Sequence, residues 1–325
     1  MTGPFVKQLD AADLPTEASI LSAWQGDIAT PVVSIFCATF NHQPYIEDAL
    51  IGFLIQQTDF PFEIIVHDDA STDATAEVIK SYQQRYPSII KPILQSENQY
   101  SQGRKPGPFM TAVAKGRYIA LCEGDDFWRD PDKLAKQVKF LEDHPDYVVS
   151  GHDAIIIDED DKVVQQGKLA ERFKRDFSAT SLQCGDAFLL TLSLMYRNVM
   201  TEDPPERLIV LNGDNLNLSL LGGFGKSHFH HDIEPAAYRT HGGGVWSLVN
   251  QKQRNYQQMV SWLMIHRYHF RHGNKAAAQA FFAKFGERAV TQLAWKPMAR
   301  ELLIRVLLVR QLKSALKRLL AKGRR

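Results

Sequence analysis

Lys115-Gly116-Arg117-Tyr118-Ile119-Ala120-Leu121-Cys122-Glu123-Gly124-Asp125-Asp126-Phe127-Trp128 is the stretch on which the reading of the chain turns. Tyr118 to Cys122 is a short apolar run of the kind that forms a buried strand. It stops abruptly in three carboxylates, Glu123, Asp125 and Asp126, with Gly124 supplying a tight turn. Asp130-Pro131 then opens a helix. Carboxylates crowded at a strand end repel one another unless solvent or a cation intervenes. A hard divalent ion, its other positions taken by phosphate oxygens and water, fits them. An acidic surface turn fits these residues equally well, so the choice rests on what accompanies them.

Upstream, the core begins at Pro31. Val32 to Ala38 is β-rich and ends in Thr39-Phe40-Asn41-His42, and helical spacing follows from Tyr45 to Gln57. A second strand, Glu63 to His67, ends in Asp68-Asp69-Ala70-Ser71-Thr72-Asp73, where Thr72 or Asp73 can cap a helix running to Tyr86. A third strand covers Ile89 to Leu94. A polar loop, Ser96 to Pro108, carries Arg104 and Lys105. Strand–helix alternation with short links predicts a mostly parallel sheet covered on both faces, with ligands outside the carboxyl ends of its strands. Three polar clusters fall at that one edge.

Downstream, a helix is expected over Pro131–His144 and a strand over Tyr147–Ile157. Asp158 to Asp161 reads as a solvated hairpin turn before Val163-Val164, and Cys184 to Met195 reads as a helix. A second polar apex, Leu211 to Asn215, precedes a helix from Leu216 to Leu221, so Asp214 is either its cap or a functional base. Ser227 to His241 reads as a strand pair, Gly242 to Trp246 as a flexible loop, and everything from Leu248 onward as helix. His228, His230 and His231 have no cysteine or third spaced ligand beside them, which argues against zinc. His266, His269 and His272 read as surface residues.

The chain's 325 residues, 44% hydrophobic and 23% charged, suffice for one large domain with an appendage, or two domains. No run approaches the ~18 apolar residues of a membrane span, and no basic-then-apolar leader opens the sequence. Cys37, Cys122 and Cys184 are widely spaced in apolar surroundings, as core residues of a reduced, cytoplasmic protein are. Residues 298–325 hold nine basic residues against Glu301 alone; the remainder holds 29 against 36, so a body of −7 carries a tail of +8. In that tail Leu302, Leu303, Val306, Val309, Leu312, Leu316, Leu319 and Leu320 recur at helical spacing. Such a basic amphipathic helix can lie on an anionic membrane. With the basic residues gathered there and the body acidic, nucleic acid is not the expected partner.

Val33-Ser34-Ile35 with Thr39-Phe40-Asn41, the Asp68 to Asp73 cluster, and Glu123-Gly124-Asp125-Asp126-Phe127-Trp128 together resemble the family 2 glycosyltransferases with the GT-A fold. Ala237-Tyr238-Arg239-Thr240-His241-Gly242-Gly243-Gly244-Val245-Trp246-Ser247 is similar to the pattern in bacterial polysaccharide-assembling members. The resemblance implies an N-terminal arm (1–30), a GT-A catalytic domain (31–247) and a helical C-terminal region (248–325). The catalytic domain would divide into a nucleotide-sugar half (31–128) and an acceptor half (129–247). It implies a nucleotide-diphosphate sugar donor, UDP-linked by expectation, a Mg²⁺ or Mn²⁺ ion, inversion at the anomeric carbon, and a glycan or lipid-linked acceptor at the inner face of the cell membrane. By position, Thr39, Phe40, Asn41 and Asp69 resemble nucleoside contacts, Asp69 resembling the acid that meets the base. Arg104 or Lys105, with Arg239, resembles the diphosphate contacts. Asp125 and Asp126 match the metal and ribose end of the acidic motif, whose first position is here Glu123. His241 resembles a metal contact, and Asp214 stands where the family keeps its general base, preferred over Asp186, Glu202 and Asp203. A sugar-nucleotide nucleotidyltransferase would want a Gly-rich basic loop after the first strand, and Thr39 to Pro44 is not one. A non-catalytic sugar-nucleotide-binding module would not need the acidic residues retained here.

Overall fold

Burial runs along the first two strands with only Ala38 half-buried, as expected where helices cover both faces of a sheet. In the computed structural model, which describes residues 11–200, 203–211, 213–243 and 250–292, the strands are β1 (Val33–Thr39), β2 (Phe62–Asp68), β3 (Ile90–Leu94), β4 (Tyr118–Leu121) and β5 (Tyr147–Gly151). They continue with β6 (Ala154–Ile157), β7 (Val163–Gln165), β8 (Met195–Arg197), β9 (Lys226–Phe229) and β10 (Ala236–Arg239). Seven form one sheet in the order β3-β2-β1-β4-β8-β5-β9, and β10-β6-β7 form a smaller one. β1 pairs in parallel with β2 and β4, and β2 with β3, whereas β8 runs antiparallel between β4 and β5. The α/β architecture with a mostly parallel central sheet is the one expected.

The helices are α1 (Glu17–Ala23), α2 (Ile46–Leu54), α3 (Thr75–Arg85), α4 (Pro106–Thr111) and α5 (Lys133–Asp143), then α6 (Ala179–Gln183), α7 (Gly213–Leu221), α8 (Gln251–Arg271) and α9 (Lys275–Gln292). Alternation along β1 sorts its side chains into two cores. Val33, Ile35 and Cys37 join Leu50, Phe53, Ile79, Leu134 and Trp128 on one face, while Phe36 joins Ile65, Met110, Ile119 and Val149 on the other. Trp128 fastens the acidic apex to the first core: its Nε1 donates to the Leu192 carbonyl at 2.7 Å and its ring meets Phe53 edge-on.

Four local expectations are corrected. Tyr147–Ile157 is two strands, β5 and β6, which belong to different sheets. Cys184–Met195 is not a helix. The helix is α6, before it, and the apolar run is irregular because Leu189 and Leu194 enter one core while Leu190 and Leu192 enter the other. β9 and β10 do not pair with each other. His269 is buried, its Nε2 2.7 Å from the Ser219 hydroxyl and its ring stacked on Phe281, where α7, α8 and α9 pack together. Among the described residues no helix is long and apolar enough to cross a membrane. The basic segment 298–325 lies outside the described residues, as does Glu202.

Candidate active site

Parallel register brings the ends of β1, β2 and β4 together, with Thr39 opposite Asp68 and Phe36 opposite Leu121. The loops that leave these ends are tied by short polar side chains to each other's backbone, the work for which Asp, Asn, Ser and Thr are suited. Asn41 sits at φ 55°. Its N–H donates to Ser71 Oγ at 2.8 Å, and its Oδ1 accepts from the Thr72 N–H at 2.8 Å. Asp73 accepts from the Gln43 N–H at 3.1 Å and the Thr75 N–H at 3.0 Å, and the His42 N–H donates to Thr75 Oγ1 at 2.9 Å. Asp69 accepts from the Gln99 and Tyr100 N–H groups at 2.8 and 3.0 Å, so it also orders the loop after β3. Phe40 is left exposed, while Thr39 is buried with its hydroxyl unpartnered by the described residues.

At the end of β4, Gly124 packs directly on β1. A Cβ there would lie 2.8 Å from Thr39 Cβ and Oγ1, and the Gly124 N–H donates to the Ala38 carbonyl at 2.9 Å. The glycine is needed for this close approach, and its backbone is not among the positive-φ positions. The three acids around it face different surroundings. Asp125 Oδ2 lies 3.1 Å from His241 Nε2 and 3.8 Å from His42 Nε2. Burial pushes the Asp125 carboxyl upward, but the hydrogen bond from His241 and the His42 charge outweigh it, so the group is held below its usual range. Asp126 is buried, and its Oδ1 accepts from the Arg239 N–H at 2.9 Å; burial and the charges of Asp125 and Glu123 drive it well above the carboxylate range. Glu123 is also raised, by burial first and then by Asp125 and Asp214.

Of the expected metal-binding residues, the structure therefore brings Asp125 and His241 together and turns Asp126 to the backbone of β10. His42 joins the first two instead. One carboxylate and two imidazoles, their ligand atoms all within 4.8 Å, form the one such three-donor cluster among the described residues. This donor set fits a divalent cation. Burial lowers the pKa of His42, which favours the neutral, metal-binding form of its ring.

Arg239, expected at a diphosphate, is spent within the protein. Its side chain is 1% exposed and reaches Asp48 at 2.6 Å, Asp161, and the Asp125 carbonyl at 3.1 Å, between the rings of Tyr45 and Phe127. Arg104 is exposed, with Nη1 3.3 Å from Gln99 Oε1. Lys105 donates to the Val210 carbonyl, and burial, then Arg207, lowers its pKa.

Asp214, at the start of α7, lines a cavity of about 410 Å³ with Glu123, Thr191, Tyr196, Arg207 and Asn217. Burial raises its pKa, against the pull of a hydrogen bond with Thr191 and the charge of Lys105. Of its rivals, Asp203 lines the same cavity but is paired with Arg207, and Asp186 is paired with Lys284 at 2.9 Å. A larger groove of about 1060 Å³ between α1, α2 and the 127–131 segment includes none of the strand-end carboxylates. His228 and His230 pair separately with Asp176 and Asp232, at 2.9 and 3.1 Å. The missed member of the site is His42. Its signal was its place directly after Thr39-Phe40-Asn41, at the end of the first strand.

A family model described as Glycosyl transferase family 2 matches residues 34–196. An uncharacterized protein of Mycobacterium bovis is 35% identical over 225 residues, which are 69% of this chain and 63% of that protein. The chain thus spans less than two thirds of that relative's length. Among solved structures, S. aureus TarS 1-349 in complex with UDP-GlcNAc superposes with a TM-score of 0.54 at 17% identity, over 71% of this chain and 66% of that one. The mannosyltransferase PcManGT from Pyrobaculum calidifontis, in complex with GDP-Man and Mn²⁺, gives 0.50 at 16%, over 91% and 84%. At these identities the two structures establish a shared fold.

Proposed function

The chain belongs to glycosyl transferase family 2, and on that premise we propose that it is a metal-dependent, inverting glycosyltransferase. It moves a sugar from a nucleotide-diphosphate sugar, by preference UDP-linked, to a glycan or lipid-linked acceptor in surface polysaccharide assembly. The observation that carries this reading is the division of labour across Gly124. On one side Asp125 is held ionised between two histidines; on the other Glu123 and Asp214 face one sugar-sized cavity. Groups whose surroundings push their proton affinities apart are what acid–base and charge-stabilising roles require.

Thr39, Phe40 and Asn41 line the nucleoside position, and Asp69 keeps a second lone pair on each oxygen for a base N–H. Asp125 and His241, with His42, would hold Mg²⁺ or Mn²⁺, and such an ion would supply positive charge to offset that of a diphosphate leaving group. Arg104 on the exposed loop adds a cation at the same edge, and Lys105 one beside Asp214. Asp214 accepts the acceptor hydroxyl's proton as that oxygen bonds to the anomeric carbon. The bond to the diphosphate oxygen breaks on the opposite face, which inverts the centre. The raised proton affinity of Asp214 brings it nearer the working pH of a base. Asp126 and Arg239 keep the apex in place. The acid-poor, basic pattern of residues 298–325 supports contact with an anionic membrane at the cytoplasmic face.

The test is a panel of nucleotide sugars screened for Mn²⁺-dependent donor hydrolysis and transfer. At least one donor is expected to turn over, and Asp125→Asn to lower that rate by ~10³-fold with the fold retained. A panel with no turnover, or a fully active Asp125→Asn, ends the reading.

A further inference from the structure

Resting on the glycosyltransferase reading only for the cation's purpose, we propose that His42 is the third protein ligand of the cation site. With His241, it makes that site select a borderline cation such as Mn²⁺ over Mg²⁺. His42, Asp125 and His241 come from three separate segments: the loop after β1, the apex after β4 and the end of β10. Donors at ~2.0–2.2 Å from one ion stand ~3.0–3.6 Å from each other, depending on the geometry. Asp125 Oδ2 is 3.1 Å from His241 Nε2, inside that span, and 3.8 Å from His42 Nε2, a small side-chain shift beyond it.

A hydrogen bond accounts for the first of these distances and not for the second, since 3.8 Å is beyond hydrogen-bond reach. Among the described residues no hydrogen bond holds either nitrogen of the His42 ring: Nδ1 is buried without a partner, and Nε2 stands 3.8 Å from Asp125 Oδ2. The ring is nevertheless placed. Its backbone N–H is anchored on Thr75 Oγ1, which is itself gripped by Asp73, and the ring packs edge-on against His241 with centroids 5.8 Å apart. Asp126 stands outside the cluster, its Oδ1 accepting from the Arg239 N–H. Two imidazoles converging on one carboxylate make a nitrogen-rich set. Mg²⁺ prefers oxygen ligands and sheds water reluctantly, whereas transition-series cations accept imidazole. The open positions remain for oxygens of a nucleoside diphosphate.

The full chain is titrated with Mn²⁺, with and without UDP, by calorimetry and by pulsed paramagnetic resonance, which counts coupled histidine nitrogens. The expected result is two coupled histidines in the unmodified chain and one in each of His42→Gln and His241→Gln. Mn²⁺ affinity should fall about tenfold or more in His42→Gln, and Mg²⁺ in about 100-fold excess should fail to displace Mn²⁺. A single coupled histidine in the unmodified chain overturns the proposal, as does unaltered affinity in His42→Gln, ready displacement by Mg²⁺, or no Mn²⁺ binding in either condition. If a variant does not fold, the count and the Mg²⁺ competition in the unmodified chain decide. A two-histidine Mn²⁺ site in a chain that turns over no nucleotide sugar would reject the transferase reading and leave the site standing. Turnover with a one-histidine site would do the reverse.

Discussion

The two sides of the acidic apex are held by different means. On the β1–β4 side the polar loops are bonded to one another over short stretches: Asn41 to Ser71 and Thr72, Asp73 to Gln43 and Thr75, Asp69 to Gln99 and Tyr100. Each bond joins a side chain to a backbone group, so the protein's own contacts define the shape. On the Asp214 side the walls are joined by long charged side chains, Lys105 to Val210, Arg207 to Asp203 and Asn217, Arg271 to Glu206. The contrast suits a preformed donor site facing an acceptor site that adjusts. Preorganised dipoles stabilise developing charge without reorganising, and adaptable walls tolerate a bulky acceptor.

The largest expected effect lies where the two sides are bolted together. Arg239 reaches from β10 to Asp48 on α2, Asp161 in the β6–β7 turn and the Asp125 carbonyl. Removing the guanidinium takes a buried cation away from both acids, and burial already lifts Asp48 to about 6. Arg239→Leu should cost ~3–5 kcal/mol of stability in urea unfolding. Arg239→Lys should recover only part of it, because an ammonium cannot span the same fork. If Arg239→Leu unfolds at the unmodified midpoint, the two sides do not depend on this joint.

A smaller effect tests whether the adjustable side does chemistry at all. Asp214→Asn should lower transfer by ~10²-fold while leaving donor binding within about twofold, since the donor side is built independently. Calorimetry with UDP and a transfer assay separate the two readouts. Normal transfer by Asp214→Asn with loss in Asp186→Asn or Asp203→Asn would move the base to another carboxylate and redraw the acceptor side.

The same contrast explains what the sequence makes legible. The apices after β1, β2 and β4 can be read because each joins an apolar strand to polar residues within a few positions, and parallel alternation gathers them at one edge. His42 escapes because its partner is Asp125, 83 positions away along the chain, and no local pattern marks the meeting. Arg239 looks like a ligand contact until Asp48 and Asp161 are seen to enclose it. Cys184 to Met195 reads as helix because its leucines are closely spaced along the chain, while the two cores that share them are assembled from elsewhere. His269 looks exposed because α7 and α9, which cover it, are not visible in the pattern of α8 alone.

The smallest expected effect concerns the support behind the wall of the Asp214 cavity. Glu206 is 1% exposed, and its two oxygens accept from Arg271 Nε at 3.0 Å and Nη2 at 2.9 Å, with Arg267 3.5 Å away. These contacts tie the 203–211 segment, which carries Arg207, to α8. The hydrogen bond from Arg271 holds the Glu206 carboxyl below its ordinary value. A carboxyl depressed in the folded state contributes stability above its unfolded pKa and loses it as the pH falls through the folded one. Both arginines are partly exposed, so solvent screens the pair and Glu206→Gln should cost only about 1 kcal/mol at neutral pH. Thermal unfolding of the two proteins across pH decides the matter. The gap between them should be full at pH 7, shrink below the ordinary glutamate range, and close once the carboxyl is protonated in the fold. A gap that persists in acid would mean that Glu206 acts through packing, and the adjustable wall would then be as firmly built as the donor side.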